Sequence, residues 1–269
     1  MWLGNPRGSC VSQRSREVTD SPMARWAAVM DAFAERDVWG VRELGVHARL
    51  PRSAVHRILH EMARLELLAE TEAPGRFRIG PSLARLSVLL AERLDVRSVA
   101  RPFMETAAAA LDETLVLALY SPARHQFWAV DAVESTHPIR YIWGPLRQWS
   151  ELHTGSSGKG ILAFLPDTER DAILEALPDP VPGARPLPIA TLRAELDEAR
   201  ARGHVISHGE RFPGAVGVSA PIRDAAGRDV GDLVFGWPDN RTSPEKEARA
   251  GALVVRATAQ VSGALGYRG

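Results

Sequence analysis

The chain has 269 residues, of which 45% are hydrophobic and 25% charged, and its 33 basic side chains balance its 33 acidic ones. This length suits a small domain plus a medium one, and the charge balance argues against nucleic-acid binding through bulk positive charge. No apolar run is long enough to span a membrane, and the single cysteine, Cys10, excludes an internal disulfide and argues against a thiolate metal site. We therefore expect a cytoplasmic protein without membrane contact.

The first part of the chain predicts a leader followed by three short helices and a hairpin. Residues 1–21 are polar and rich in Gly, Ser and Arg, a composition that favours disorder. Apolar residues at helical spacing then predict helices over about residues 21–37, 42–48 and 52–65, with a short connection at Val38–Val41. Two short apolar segments around a Pro-Gly turn predict a hairpin with arms at residues 67–70 and 76–79.

The third predicted helix has two contrasting faces. Its apolar residues recur at i, i+3, i+4 and i+7 and predict one buried stripe, formed by Val55, Ile58, Leu59 and Met62. Polar residues occupy the opposite face: Ser53, Arg57, His60 and Arg64, with His56 at the edge. In the second hairpin arm, Arg76 and Arg78 alternate with Phe77 and Ile79, which predicts a strand with one basic face.

Three short helices and a basic hairpin predict a winged helix-turn-helix, whose third helix enters the major groove of DNA. In such a unit arginines contact phosphates, and both Arg and His can donate hydrogen bonds to guanine edges. The residues predicted to contact DNA are Arg52, Ser53, His56, Arg57, His60, Arg76 and Arg78. The alternative is a three-helix packing module with solvated arginines.

The rest of the chain predicts a linker helix and an α+β domain. Leucines at near-heptad spacing, Leu83, Leu86, Leu90 and Leu94, indicate that the helix after the hairpin pairs with a second subunit. Further helices are predicted over 99–112, 155–176 with a break at Pro166, 189–202 and 244–265. Strands are predicted over 114–120, 126–133, 138–143, 204–207, 215–222 and 230–237. Antiparallel strands flanked by helices are typical of an α+β sensor domain.

Five segments stand in the order found in one known family. They are LPRSAVHRIL (50–59), GRFRIGP (75–81), VARP (99–102), LHTGSSGKGILAFLP (152–166) and PGAVGVSAPI (213–222). On these segments the chain, from about Pro22 to its end, resembles the IclR family of bacterial transcription regulators.

After the leader (1–21), this resemblance implies three regions: a winged helix-turn-helix (22–81), a linker helix (82–98) and a GAF-like effector-binding domain (99–269). It implies a homodimer or homotetramer on a double-stranded, palindromic DNA operator, and no catalysis. We also expect no cofactor and no metal. It also implies a pocket for a small-molecule effector, bordered by the loop at 154–158 and by two strands. The predicted effector-binding residues are Thr154, Gly155, Ser156, Ser157, Gly158, Ser207, His208, Gly217 and Phe235.

The chain departs from the family pattern in the turn and in the pocket. Arg49 stands where the family has a glycine before the recognition helix, and Gly217 stands where a cysteine is common. Where acid-sensing members carry polar side chains, this chain has Ser207, Leu233 and Phe235. We therefore expect a less polar effector, which can be aromatic. Together with the anion site described next, this predicts a metabolite with a carboxylate and an apolar or aromatic part.

The segment Gly155–Gly160 is rich in glycine but is not a nucleotide-binding Walker loop. Only two residues separate its glycine from Gly-Lys, where that motif needs four, and Gly160 replaces the magnesium-binding Ser or Thr. Unpaired amides at the start of a helix instead favour an anion, so a ligand carboxylate could rest against Ser156 and Ser157. The alternative is a helix cap packed under the sheet.

Histidines offer two further hypotheses. His56 and His60 lie four residues apart, but no third ligand accompanies them, so DNA contact or plain solvent exposure is a better interpretation than a metal site. His208 and Glu210 are hypothesised to approach the ligand.

The function as a whole has two alternatives. The first is an enzyme that acts on its ligand in the second domain, and the second is a sensor that works through protein contacts without DNA.

Overall fold

The computed structural model describes residues 21–86, 95–141, 148–182 and 187–269. The chain divides into two compact units, Met1–Arg93 and Leu94–Gly269. Most of the predicted leader, together with Leu90 and Leu94 of the predicted linker helix, lies outside the described residues. No helix in the described ranges is long and apolar enough to cross a membrane.

The first unit consists of helices and a small antiparallel sheet. Its elements are α1 (Pro22–Glu35), β1 (Val38–Gly40), α2 (Val41–His47), α3 (Arg52–Arg64), β2 (Leu68–Glu70) and β3 (Arg76–Ile79). Residues 81–86 are also helical. The strand order is β1-β3-β2. Ser21 caps α1, since its Oγ accepts a hydrogen bond from the Ala24 amide, and Pro22 suits the first helical position.

The predicted connection at Val38–Val41 is wrong, because most of it is strand β1. Residues Val38 to Gly40 pair with β3, in register from Val38 opposite Arg78 to Gly40 opposite Arg76. A three-residue strand carries too little pattern to be identified from sequence, and this one exists through its pairing with the hairpin. Val41 already belongs to α2.

The apolar stripe of α3 forms the centre of the first core. Val55, Leu59 and Met62 are buried as predicted, whereas Ile58 is half-buried. They pack with residues from every other element of the unit: Val29, Phe33, Trp39, Leu44, Leu68 and Phe77. Full burial of such a side chain stabilises a fold by about 1.5–3 kcal/mol, so this stripe fixes which face of α3 meets solvent.

The second unit is a six-stranded antiparallel sheet between two layers of helices. Its helices are α4 (Asp95–Leu111), α5 (Gly155–Leu162), α6 (Asp167–Glu175), α7 (Ile189–Arg202) and α8 (Pro244–Ala264). Its strands are β4 (Thr114–Ser121), β5 (Gln126–Val133), β6 (Ser150–Glu151), β7 (Val205–His208), β8 (Ala215–Arg223) and β9 (Asp229–Pro238). The strand order is β6-β5-β4-β9-β8-β7. The predicted fold class, a winged helix-turn-helix with an α+β domain, is confirmed.

The two faces of this sheet carry separate apolar clusters. Leu117, Val218 and Phe235 belong to the cluster that packs with α4 and α8, while Ala118, Phe127 and Val205 belong to the cluster that packs with α5, α6 and α7. Gly160 of α5 lies so close to β8 that an added Cβ would overlap the Ser219 side chain. The start of α5 is therefore held directly against the sheet.

Two predictions for this unit differ from the structure. Helix α4 already includes Asp95 to Ser98, residues that the prediction placed before a helix start near Val99. The strand predicted at 138–143 is absent from residues 138–141, and residues 142–147 lie outside the described part. The Thr114 side chain instead contacts both ends of the segment 135–141. Its hydroxyl donates to the Tyr141 carbonyl (2.8 Å) and accepts from the Ser135 amide (3.2 Å).

Candidate functional site

The polar face of α3 is exposed because its opposite face fills the core. Arg52, Ser53, His56 and Arg57 are all exposed, so four predicted DNA contacts lie together on the surface of one helix. This is the face that a helix-turn-helix presents to the major groove.

His60 has a different environment from the other predicted DNA contacts. It is half-buried, its ring centroid lies 4.2 Å from that of His56, and it meets the buried Phe77 edge-on at 5.3 Å. Because Phe77 belongs to β3, the His60 ring packs α3 against the wing strand.

The two wing arginines also differ. Arg78 is exposed, whereas Arg76 is half-buried and its guanidinium lies 3.4 Å from the Glu43 carboxylate. Glu43 also accepts from the Gly40 amide (3.2 Å) and from Arg36 (3.1 Å). The Gly40 hydrogen bond, with Arg76 and Arg36 beside it, lowers the pKa of Glu43. Arg76 therefore forms an ion pair with the Glu43 carboxylate, while Arg78 faces solvent.

The turn between α2 and α3 contains a strained residue. Arg49 has a φ of 55°, a left-handed conformation in which a Cβ is unfavourable. Gly45 lies one turn earlier, where a Cβ would come within 3.2 Å of the Leu50 carbonyl oxygen. An arginine in place of glycine at position 49 thus destabilises the turn locally, and the helix-turn-helix tolerates this strain.

Replacing Arg49 with glycine is expected to raise the free energy of unfolding by about 0.5–1 kcal/mol, because glycine adopts a positive φ without a Cβ clash. Arg49→Ala is the matched control, since it removes the same charge but keeps the Cβ. Urea unfolding followed by circular dichroism measures both. A glycine variant less stable than the alanine variant would contradict the inferred strain.

A cavity of about 40 Å³ lies in the second unit between the start of α5 and the sheet. The predicted effector-binding residues that line it are Thr154, Gly155, Ser156, Ser157, Ser207, Gly217 and Phe235. The other lining residues include Tyr141, Val234, Gly236 and the loop residues Glu210, Arg211 and Phe212. Segments that are distant in sequence thus meet at one cavity.

Gly158 and His208 do not line this cavity. A Cβ on Gly158 would come within 2.7 Å of the Glu151 carbonyl oxygen, so this glycine permits close packing of α5 on β6. His208 is exposed and its Nε2 lies 2.8 Å from the Glu247 carboxylate. Because strand residues alternate in direction, Ser207 faces inward and His208 faces outward.

The apolar character of the cavity has a different origin from the predicted one. Leu233 and Phe235 belong to the core cluster on the opposite face of the sheet, so Phe235 borders the cavity without presenting its ring to it. Aromatic rings come instead from Tyr141 and Phe212, whose centroids lie 5.8 Å apart. A Cβ on Gly236 would come within 2.7 Å of the Tyr141 ring, so glycine there makes room for it.

The first turn of α5 uses its serines to bind the sheet. The Ser157 hydroxyl donates to the buried Asp232 carboxylate (2.7 Å), and the Ser219 hydroxyl donates to the Ser156 carbonyl (2.7 Å). Burial raises the pKa of Asp232 well above its usual value. At Gly217, an added Cβ would overlap the Ser156 hydroxyl, so glycine in place of the family's cysteine lets α5 approach the strand.

Two charged side chains lie on the loop between β7 and β8. The Arg211 guanidinium donates to the Ser150 hydroxyl (2.5 Å) and lies 5.3 Å from the Phe127 ring centroid, and burial lowers its pKa. The Glu210 carboxylate accepts from the Gly155 amide (3.2 Å) and from Lys159 Nζ (2.6 Å). Arg211 is not among the residues predicted from sequence, whereas Glu210 is hypothesised there.

His, Cys, Asp and Glu side chains offer no metal site in the described ranges. Among these residues, no group of three or more is placed to hold a metal ion. His56 and His60 contact each other, but among the described residues no third His, Cys, Asp or Glu side chain is placed to bind a metal ion with them.

Family models match both units of the chain. The model for the C-terminal part of the bacterial transcriptional regulator IclR matches residues 88–263, and the IclR helix-turn-helix model matches residues 23–72. The second match covers α1, α2 and α3, and the first covers the whole sheet with the cavity.

Individual relatives agree with these matches. The regulator TtgV of Pseudomonas putida is 30% identical over 207 residues, covering 76% of each chain. The transcriptional repressor IclR of Escherichia coli is 23% identical over 230 residues, covering 83% of this chain and 82% of its own. An IclR homologue from Microbacterium hydrocarbonoxydans, solved in complex with 4-hydroxybenzoate, is 25% identical with a TM-score of 0.74, covering 91% of this chain and 99% of its own. With both of its units matched, the chain belongs to the IclR family of bacterial transcription regulators.

Proposed function

We propose that the chain regulates transcription by binding an operator through α3 and the wing, and that a small acid in the cavity changes its affinity for that operator. The single observation that carries the DNA-binding part is the exposed cluster of Arg52, Ser53, His56 and Arg57 on α3. The family's helix-turn-helix model, which spans this helix, supports the same role.

Each proposed DNA contact has a chemical role that follows from its position. Arg57 and His56, in the middle of the exposed face, donate hydrogen bonds to base edges in the major groove. Arg52 at the start of α3 and Arg78 on the wing contact phosphates, which fixes the register of the protein on DNA. His60 orients His56, and Arg76, already paired with Glu43, contributes less.

We infer that two or four copies bind together, because two half-sites of a palindromic operator require two copies of α3. The leucines at near-heptad spacing after the wing support pairing between subunits.

The proposed effector is an aromatic or apolar carboxylate. Arg211 supplies a partly buried cation for the carboxylate, and Tyr141 and Phe212 supply flat apolar surfaces. The relative from Microbacterium hydrocarbonoxydans, solved with 4-hydroxybenzoate, supports this class of ligand. Ligand pockets usually measure about 300–1,000 Å³. The cavity of about 40 Å³ must therefore widen, and the loop between Gly209 and Gly214, both with positive φ, can provide that movement.

The test is a binding assay of the purified chain on DNA from upstream of its own gene. We expect preference for this DNA over a scrambled fragment, and a change in affinity when 4-hydroxybenzoate is added. Binding that is equal on both fragments would refute the operator-reading role. Preference that 4-hydroxybenzoate and a panel of related acids leave unchanged would refute the effector part alone.

A further inference from the structure

Glu210 lies in the wall between two cavities of the second unit. The first is the proposed effector cavity, and the second, of about 350 Å³, is lined by Lys159, Glu195 and Glu247 among others. Glu210 borders both. One of its carboxylate oxygens accepts from the Gly155 amide beside the first cavity, and the other accepts from Lys159 Nζ beside the second.

Lys159 can hold Glu210 in more than one position. Its side chain is 4% exposed, and Nζ also donates to Glu195 at 2.9 Å. An ammonium group has three N–H donors. Lys159 can therefore keep its hydrogen bonds to both Glu195 and Glu210 while the Glu210 side chain turns about its hydrogen bond to Nζ. A buried ammonium that lost both partners would be strongly destabilising, so this tether is retained.

The larger cavity provides the space for such a rotation. Glu210 can leave the Gly155 amide by turning toward the second cavity without losing Lys159. The loop that carries Glu210 runs between Gly209 and Gly214, whose φ values are 64° and 76°. Glycine at both ends allows the backbone to follow the side chain.

We propose that Glu210 is a specificity-determining residue of the effector cavity, because its carboxylate occupies the Gly155 amide until the carboxylate of a ligand displaces it. This inference rests on the proposed effector site. A ligand acid that pairs with Arg211, the next residue in the chain, brings a second negative charge beside Glu210. A ligand carboxylate that takes the Gly155 amide must first displace Glu210 and then lies near its negative charge, so Glu210 weakens the binding of such acids relative to neutral ligands of the same shape.

The experiment compares an acid with its neutral analogue. Calorimetry with 4-hydroxybenzoate and 4-hydroxybenzamide is carried out on the full wild-type chain, on Glu210→Gln and on Glu195→Gln. Glu210→Gln is expected to bind the benzoate about tenfold more tightly and to bind the benzamide with unchanged affinity. Glu195→Gln is the matched control, because it removes the other carboxylate bound to Lys159. Glu195 lines the second cavity and is not among the lining residues of the effector cavity, so both affinities should stay at the wild-type value.

A second variant, Glu210→Asp, shows whether a change at position 210 alters benzoate affinity through misfolding or through loss of the charge. Glu210→Asp keeps the charge, so its benzoate affinity should remain within about threefold of wild type even though its reach is shorter. The inference is overturned if Glu210→Gln binds the benzoate no more tightly than wild type, if the benzamide gains equally, or if none of the proteins binds the benzoate. If wild type binds the acid and its operator affinity responds, but Glu210→Gln shows no gain, only this inference fails and the proposed function stands.

Discussion

Replacing Arg57 with alanine is expected to weaken binding to the operator by about 1–3 kcal/mol and to relax the preference for its sequence. The reason is that Arg57 lies exposed in the middle of α3, where a guanidinium can donate two hydrogen bonds to one guanine. Its loss should leave the fold intact, because the buried side of α3 is formed by Val55, Leu59 and Met62. Fluorescence anisotropy on operator and scrambled DNA measures both effects.

The matched control for Arg57→Ala is Arg228→Ala. Arg228 is an exposed arginine of the second unit that pairs with Asp224, so its removal changes the net charge equally without touching α3. Operator affinity and sequence preference should both stay at the wild-type level in this control. If Arg57→Ala behaves like the control, α3 does not read bases through Arg57.

Replacing Arg211 with methionine is expected to weaken binding of 4-hydroxybenzoate by about 1.5–3 kcal/mol, the usual contribution of a hydrogen bond to a charged group. Among the described residues that line the effector cavity, Arg211 is the one cation. Methionine keeps a long apolar stem against Phe127 and Phe212 while removing the charge. The neutral 4-hydroxybenzamide should bind wild type and variant equally.

Calorimetry with the same two ligands separates this result from general damage to the cavity. An equal loss for the benzoate and the benzamide would mean that Arg211 supports the shape of the cavity and does not bind the carboxylate. Arg228→Met serves as the control, since it removes an exposed arginine that is not among the residues lining the cavity. It should leave both affinities unchanged.

The DNA-binding unit could be predicted well because its pattern is local. The stripe at Val55, Leu59 and Met62 repeats within one helix, and a helix that buries one face must expose the other. Strand β1 could not be predicted in the same way, because its three residues are ordered by pairing with β3, some 40 residues later in the chain. His60 was expected on the polar face, and its half-burial depends on Phe77 from the wing.

The cavity could be predicted only where it is built from a local motif. The Gly-Ser turn at Thr154–Ser157 is visible in the sequence and does line it. The orientation of β9 is not visible, since the strand is buried on both faces from Gly231 to Trp237 and alternation gives no sign of which face meets the cavity. Tyr141 and Arg211 reach the cavity from separate loops, so their meeting is a property of the tertiary fold.

The most direct test of the central claim is the salt dependence of binding to upstream DNA and to a scrambled fragment of equal length. Phosphate contacts weaken steeply as salt rises, whereas contacts to base edges preserve the difference between the two fragments. If α3 reads sequence, the upstream fragment should remain bound at a salt concentration that releases the scrambled one. If both fragments are released together over the whole salt range, the exposed face of α3 is only a basic surface, and the chain does not recognise this DNA as an operator.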